Sequence, residues 1–593
     1  MDFPTKTPLT HFDTSSDDSY RNVDAVQNLS IVSHMAALGH GACGVEPNMD
    51  NIAATAQSFT DRARSELPCE RHVEDDRGGD NIPSDENQTT KSVTNMELVK
   101  SFLISGFPLT LASIAQFSIN ASTVAIIGKF LGADQMGGAT LALSLVNATG
   151  FAFGTGLCGA LETVLSHTYG EWEKKKQLAT ESETDVNCFP STEAGASCRS
   201  RTGAMQVTTE SNVTAVERGG SAPSLYMYGT YTQRMILILL AAALPLGVIL
   251  CFTDKLLKVF GESPVSIYYM GRWCRIVIFG LPVTLCLPLI QRYYSCQRVT
   301  KPLLVATFVA AAVHPGLQIA FIKLMGFEGS PMMWVFLMLG LLLGIIAHLR
   351  WTGLYRLTWG GWNKRSTQNL GTLVKLALPS MGIMMCEWVV VEIIALTAGF
   401  APKNDLAAFS ITLNIFGVLW GVTSGVIVIA SVFVGNAIGG RKPIFARRIA
   451  LISIVLVLGI SSIDVAIMFA LNPYIPFIFT NEQKVADIYQ HIMYCVLPYH
   501  IVDTLQSVMM AILRGCGLQM LGAIIISIAL CVVGLPLSFL LFFHFKYGVV
   551  SLWIGLFVGV GAVGTPLYLY ILFRYIDWKN LKPHNEEIPH YKR

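Results

Sequence analysis

The sequence predicts an all-α membrane protein: twelve transmembrane helices in two parallel six-helix repeats (6+6 lobes) around a central cavity. Three observations carry that prediction. The chain has 593 residues, 52% of them hydrophobic and only 14% charged, against about 25% charged in soluble domains. Its charges collect in the first hundred or so positions and in a few connections. The apolar segments left between them reach about 20 residues or more, the length that crosses a bilayer as one helix. The later segments also repeat landmarks of the earlier ones.

Residues 1–95 are polar, rich in Asp, Ser, Asn and Thr, with an acidic run at Glu74-Asp75-Asp76. That composition cannot bury enough apolar surface to fold, and it predicts a disordered tail. The start lacks a basic stretch followed by an apolar core, so no cleaved signal peptide is expected. Apolar segments then fall at about 100–127, 138–166, 233–252, 268–290, 303–325 and 332–349, and again at about 372–400, 406–434, 449–471, 488–511, 519–543 and 549–573. Between the second and third lies an insertion, 171–230, of Ser, Thr, Gly and Glu character that reads as an unstructured loop. The implied organisation is an N-lobe at 98–365, a C-lobe at 370–580 and a short tail at 581–593.

Orientation follows from loop charge, since Lys and Arg concentrate on the cytoplasmic side. Alternate loops carry Lys174-Lys175-Lys176, the group Arg292, Arg298 and Lys301, then Arg441-Lys442, and Arg514. The opposite loops hold little beyond isolated lysines such as Lys129 and Lys403. Both termini and the 171–230 loop are therefore expected in the cytoplasm, which leaves the sequons at Asn28, Asn87 and Asn212 unmodified.

Several function classes are disfavoured. A net charge of +2 with no basic patch gives no case for nucleic acid. The 13 cysteines are scattered, without CxxC or Cys/His spacing, so neither a zinc site nor a disulfide framework is indicated. HExxH, GxSxG and paired-Asp motifs are missing, which argues against an enzyme. No Walker A motif is present, so ATP does not drive the protein directly. No metal or cofactor is expected.

The repeat shows at matched positions. FPLTLASIAQFSIN aligns with LPSMGIMMCEWVVVE, placing Pro108 on Pro379 and Gln116 on Glu387. The next segments share an Asn-x-x-Gly step, at Asn147 to Gly150 and Asn414 to Gly417. Each copy has six segments, an even number, so the copies run parallel, related by an axis along the membrane normal. A duplication that only stabilises a bundle is the competing reading. Two like halves with a polar site between them is what alternating access requires.

Glu387 and Glu392 sit near the middle of an apolar span. A charge at that depth costs at least about 2.5–3.5 kcal/mol, so something must offset it. Five residues at about 100° each set the two acids about 140° apart, so they do not share a face. Interhelical hydrogen bonds would satisfy such acids without any function; a site for an ion or cationic substrate is the favoured reading. Asp503, which follows Pro498 and His500, is read the same way. Glu162 reads as structural, bonding a helix terminus or a neighbouring loop, and Asp464 as the cap of a distortion. His314 and His500 suit proton relays, although a lone intramembrane His is more often a packing residue. Trp388, Tyr293 and Trp420 fit core packing or, as cavity walls, cation–π contact.

The segments NATGFAFGTGLCGALETVLSHTYG (147–170), CEWVVVE (386–392), SVFVGNAIGG (431–440), ILRGCGLQMLGAI (512–524) and YGVVSLWIGL (547–556) occur in an order that resembles the multidrug and toxin extrusion (MATE) family, nearest its eukaryotic branch. The resemblance covers about 98–580. It implies that Glu387 and Glu392 occupy the seventh-helix carboxylate positions and Asp503 the acidic position of the tenth helix. Asn147 matches the second-helix Asn, Gln116 the first-helix Gln of plant-like members, and Trp388 the aromatic beside the first Glu. Departures are the first helix, which has no acid, His167 in place of Gln, and Phe433 in place of Arg.

The function so implied is secondary active antiport. Organic compounds, cationic or amphipathic, leave in exchange for H⁺ or Na⁺, with Glu387, Asp503, Glu392, Gln116, Asn147, Trp388 and Trp420 at the binding site. Expected partners are membrane lipid and small organic substrates, and the expected state is a monomer in the plasma membrane or an internal vesicle or vacuole membrane. The alternatives are a lipid-linked oligosaccharide flippase, which would want an Arg-lined cavity for pyrophosphate, and a non-transporting receptor or scaffold.

Overall fold

A computed structural model describes residues 94–187, 225–257 and 264–583. Among them no strand occurs. The long helices are α1 (Asn95–Leu131), α2 (133–187), α3 (Tyr226–Cys251), α4 (Pro264–Cys296), α5 (Lys301–Met325) and α6 (Gly329–Trp351). After short turns at Tyr355–Thr358 and Lys364–Thr367 come α7 (Leu370–Ala398), α8 (Lys403–Gly439), α9 (Pro443–Leu471), α10 (Gln483–Gly515), α11 (Gln519–His544) and α12 (Val550–Tyr575). Eleven uninterrupted helical runs among the described residues are long and apolar enough to cross a membrane. One of these, Lys301–Trp351, contains both α5 and α6, joined by the tight turn Gly326–Glu328.

Helix is the conformation apolar sequence takes where water cannot satisfy the backbone, because every N–H and C=O then bonds within the segment. Prolines at matching places, Pro108 in α1 and Pro379 in α7, are accommodated inside the helices because neighbouring helices cover the freed carbonyls. Lipid-facing sides stay apolar: Val455, Ile463 and Ile467 of α9 are exposed. The opposite stripe of the same helix, from Ala446 through Ser453, Val457 and Ser461 to Asp464, is buried.

Helix contacts come in corresponding pairs. Across the two halves α1 packs on α8, and α2 packs on α7. Within the first half α1 meets α5, α2 meets α4 and α5 meets α6; within the second α7 meets α11, α8 meets α10 and α11 meets α12. Exchanging α1, α2, α4, α5 and α6 with α7, α8, α10, α11 and α12 carries each of these contacts onto its counterpart. Small residues allow the cross-half approach. A Cβ on Gly156 of α2 would sit 2.7 Å from the Cα of Met381 on α7, and one on Gly106 of α1 would sit 3.3 Å from Val426 of α8. Thr110 of α1 donates to the Val422 carbonyl of α8 at 3.1 Å.

Several expectations need correction. The insertion is not unstructured from 171: helix continues to Asn187. The stretch EWEKKKQLATE has no Gly or Pro and is laced by neighbours one turn apart. Lys175 pairs with Glu171 at 2.7 Å, and the Lys176 ammonium lies 5.6 Å from the Trp172 ring centre. Residues 188–224 lie outside the described residues, as do the tail before Thr94 and the residues after 583. Arg292 and Arg514 are not loop charges: they lie inside α4 and α10, buried. Tyr293, by contrast, packs in the core as its position suggested, hydrogen-bonded to Thr358 of the linker between the halves.

Candidate functional site

α7 carries Glu387 past the middle of its length. The side chain is half-buried, and its Oε1 is enclosed without a hydrogen-bond partner. It lies within electrostatic reach of Asp503 and Arg514, both on α10. Asp503 accepts a hydrogen bond from the Tyr499 hydroxyl at 3.3 Å, one turn earlier on the same helix. Tyr499 stacks on Phe416 of α8, ring centres 5.6 Å apart, and packs against Trp553 of α12 at 5.7 Å. An apolar aromatic wall thus backs the two acids. Its members escaped the sequence reading, although the Tyr499–Asp503 spacing of four was legible as an i,i+4 pair.

Glu392 turns the other way, as its 140° offset requires. It accepts a hydrogen bond from Ser144 of α2, so it joins the halves and does not sit with Glu387. Two tryptophans also reach across: Trp388 meets Phe151 of α2 with ring centres 6.3 Å apart, and Trp420 of α8 meets Phe117 of α1, also at 6.3 Å. Asn147 begins a π-helical turn, Asn147–Ala152, that carries Phe151. Such turns add one residue per turn and recur at functional sites. Gln116 is half-buried on α1, next to Phe117. Among the described residues, neither the Gln116 nor the Asn147 side chain hydrogen-bonds to an acid.

The remaining intramembrane acids are paired. Glu162 is fully buried, ion-paired with Arg292 of α4 and with Arg514 of α10, the latter at 3.6 Å. Its partners are these guanidiniums, not the helix terminus or loop expected from the sequence. Next to it Thr163 donates to the Arg514 carbonyl at 2.6 Å, and His167 Nε2 donates to the Gly515 carbonyl at 2.8 Å. The His at that position therefore ties α2 to α10. Phe433 of α8 packs on Phe102 of α1 with ring centres 4.9 Å apart, and the Arg298 guanidinium lies 5.9 Å from its ring centre. Arg298 also grips Glu173 with two hydrogen bonds, at 3.1 and 3.0 Å. With its amide turned to donate to the Ser166 carbonyl, Asn436 of α8 accepts from the same guanidinium at 3.0 Å.

Asp464 does not merely cap a distortion. Its Oδ2 lies 3.3 Å from His500 Nε2, joining α9 to α10. His314, by contrast, has both ring nitrogens engaged, by Ser122 and Thr123 hydroxyls at 2.9 Å each. That is a satisfied packing residue.

Apolar helices long enough to span a bilayer, with acids enclosed between their halves, define a multi-pass membrane protein of the transporter class. The chain belongs to the MatE family, whose model matches residues 108–181, 222–319 and 379–540. It is 26% identical over 486 residues to multidrug and toxin extrusion protein 1 of Danio rerio, covering 82% of this chain and 73% of that protein. It is 28% identical over 469 residues to multidrug and toxin extrusion protein 2 of Mus musculus, covering 78% and 72%. Its fold is that of the eukaryotic MATE transporter AtDTX14, with a TM-score of 0.66 at 20% identity over 82% of this chain and 97% of the other. An outward-facing multidrug resistance MATE transporter of the MOP superfamily superposes with a TM-score of 0.63 at 14% identity, over 81% and 97%.

Proposed function

We propose that this protein is a secondary active antiporter that exports organic cationic or amphipathic compounds in exchange for H⁺ or Na⁺ by alternating access. The single observation that carries the reading is Glu387: an enclosed carboxylate oxygen without a partner, within electrostatic reach of a second acid, Asp503. Two carboxylates sharing a poorly solvated space repel, and a proton or a cation relieves that repulsion. Competition for the same charge couples the two fluxes. The names of the relatives, multidrug and toxin extrusion proteins, support an organic substrate. The intramembrane arginines Arg292 and Arg514 are both engaged by Glu162, which disfavours an Arg-lined cavity for pyrophosphate.

In this reading α1–α6 and α7–α12 are two parallel six-helix lobes, supported by the corresponding helix contacts. Both termini are cytoplasmic, and the protein works as a monomer in the plasma membrane or an internal vesicle or vacuole membrane without a cofactor. Glu387 and Asp503 hold the exchangeable charge; Trp388 and Trp420 wall the cavity with Gln116 and Asn147; Glu392 steers α2 against α7. The seam of Glu162, Thr163 and His167 on Arg514 and Gly515 closes the cytoplasmic side.

Reconstituted vesicles decide it. An imposed pH or Na⁺ gradient is expected to drive tetraethylammonium against its own gradient. Flux that ignores both gradients would sink the antiport reading. Tags at residues 1 and 593 are expected to be shielded in intact cells, and surface labelling of either would reverse the orientation.

A further inference from the structure

We propose that Cys386 of α7 and Cys531 of α11 are an oxidisable pair whose disulfide fastens the two helices together beside Glu387 and slows transport. The bond requires nothing of the antiport reading; the slowing requires only that α7 moves during transport. The nine cysteines described are free thiols. The Sγ atoms of Cys386 and Cys531 lie 3.1 Å apart, although 145 residues separate them in the chain. A disulfide holds its sulfurs about 2.0 Å apart, so small side-chain rotations that close roughly 1 Å make the bond. Cys531 belongs to a π-helical turn of α11, Ser527–Gly534, that packs on α7. Cys386 Sγ also reaches the carbonyl of Ile526, the residue before that turn, at 3.9 Å.

Access favours the same pair. Cys531 is exposed, and Ile524, Ile528 and Val532 are exposed with it on α11, so its thiol meets the hydrocarbon of the bilayer. Cys386 is half-buried beside it. An accessible cysteine next to a resolving one is the arrangement of thiols that respond to oxidants. The oxidant that reaches this face is a lipid hydroperoxide, ROOH. The Cys531 sulfur attacks its terminal oxygen, the O–O bond breaks, and the thiol proton leaves in the alcohol ROH, giving a sulfenic acid. The Cys386 sulfur then displaces the hydroxyl, which takes the second thiol proton and departs as water as the S–S bond forms. The two thiols lose two electrons and the peroxide gains them. Glu387 and Trp388 follow Cys386 directly, and α7 also packs on α2 across the halves. Pro379 lies inside α7 and removes a backbone hydrogen bond where the helix can bend. A bond about two turns beyond that point holds α7 to α11 of its own half while alternating access requires its contact with α2 to change.

The test is equilibrium exchange of radiolabelled tetraethylammonium by full-length protein in vesicles. It is measured before and after cumene hydroperoxide, and again after dithiothreitol, for wild type, Cys386→Ser and Cys531→Ser. Peptide mapping of the same samples reads the bond. Wild type is expected to yield Cys386 and Cys531 joined in one peptide pair, with exchange several-fold slower and recovered on reduction. Both serine variants are expected to exchange at the reduced wild-type rate and to ignore the peroxide. In Cys386→Ser the Cys531 sulfenic acid has no resolving thiol, and dimedone is expected to trap it. Absence of the linked pair, a linked pair that leaves exchange unmoved, or an equal slowing of both variants by peroxide each overturns the proposal. Exchange needs no gradient, so a failure of pH- or Na⁺-driven uptake would sink the antiport reading without touching this one. Should Cys386→Ser fail to fold, Cys531→Ser, altered on the exposed face, decides on the same criteria.

Discussion

Glu162 on α2 is ion-paired with two guanidiniums, those of Arg292 and Arg514, whereas among the described residues no cation comes within ion-pair distance of Glu387 on α7, whose enclosed Oε1 also has no hydrogen-bond partner. Both are carboxylates at bilayer depth, and both face the boundary between the halves. Their surroundings separate their roles. Losing Glu162 would strand two buried arginines, so it works as a clamp among α2, α4 and α10. Glu387 lies within electrostatic reach of another acid, Asp503, and in the proposed antiport its charge is the one a proton or an organic cation neutralises. Arg514 is common to both, paired with Glu162 and within electrostatic reach of Glu387. A change of charge at the site is therefore felt at the seam.

The comparison breaks most sharply at Glu387 itself. Glu387→Gln keeps the shape and removes the titration, so gradient-driven flux is expected to fall to the leak of empty vesicles while thermal stability in detergent is retained. Full coupled flux from that variant would mean that the exchangeable charge lies elsewhere.

Next comes the clamp. Arg292→Met leaves Glu162 short of a guanidinium in the interior, and breaking a buried pair in this way costs about 3–5 kcal/mol. The outcome to look for is a large loss of folded, monodisperse protein, recovered in part by adding Glu162→Gln. An unchanged melting temperature for Arg292→Met alone would show that the pair contributes little.

Glu392 should fall between these extremes, because it has a hydroxyl partner but no cation. Glu392→Gln can still accept from Ser144, and a several-fold lower turnover without loss of coupling is expected. Complete uncoupling would move Glu392 into the class of Glu387.

The smallest effect is expected at Trp388. In the antiport reading its loss to Ala removes a cation–π surface open to the cavity, about 0.5–1 kcal/mol, or roughly two- to fivefold in apparent affinity for tetraethylammonium. Equal affinity in wild type and variant would assign the ring to packing on Phe151 alone.

Glu387 was legible in the sequence because hydrocarbon makes any charge conspicuous, and its offset from Glu392 followed from helical geometry alone. The environment of each acid was not. Arg292 and Arg514 look like loop charges when read along the chain, since each stands close to the end of its apolar segment. Folding draws both inside against Glu162. Asp464 and His500 are 36 residues apart and belong to adjacent helices, so only packing of α9 on α10 turns two separate polar residues into a pair. Pro498 and the i,i+3 spacing of His500 and Asp503 were visible; the partner on α9 was not.

The sequence by itself determined that the chain is a bundle of bilayer-length helices with duplicated landmarks and acids in its second half. Those features follow from composition and from the 3.6-residue period, both local properties. Which acid is clamped, which is paired with His500 and which is left open was decided only by tertiary structure. A carboxylate's chemistry in a membrane depends on the charges brought within a few ångströms of it, and those come from helices far away along the chain.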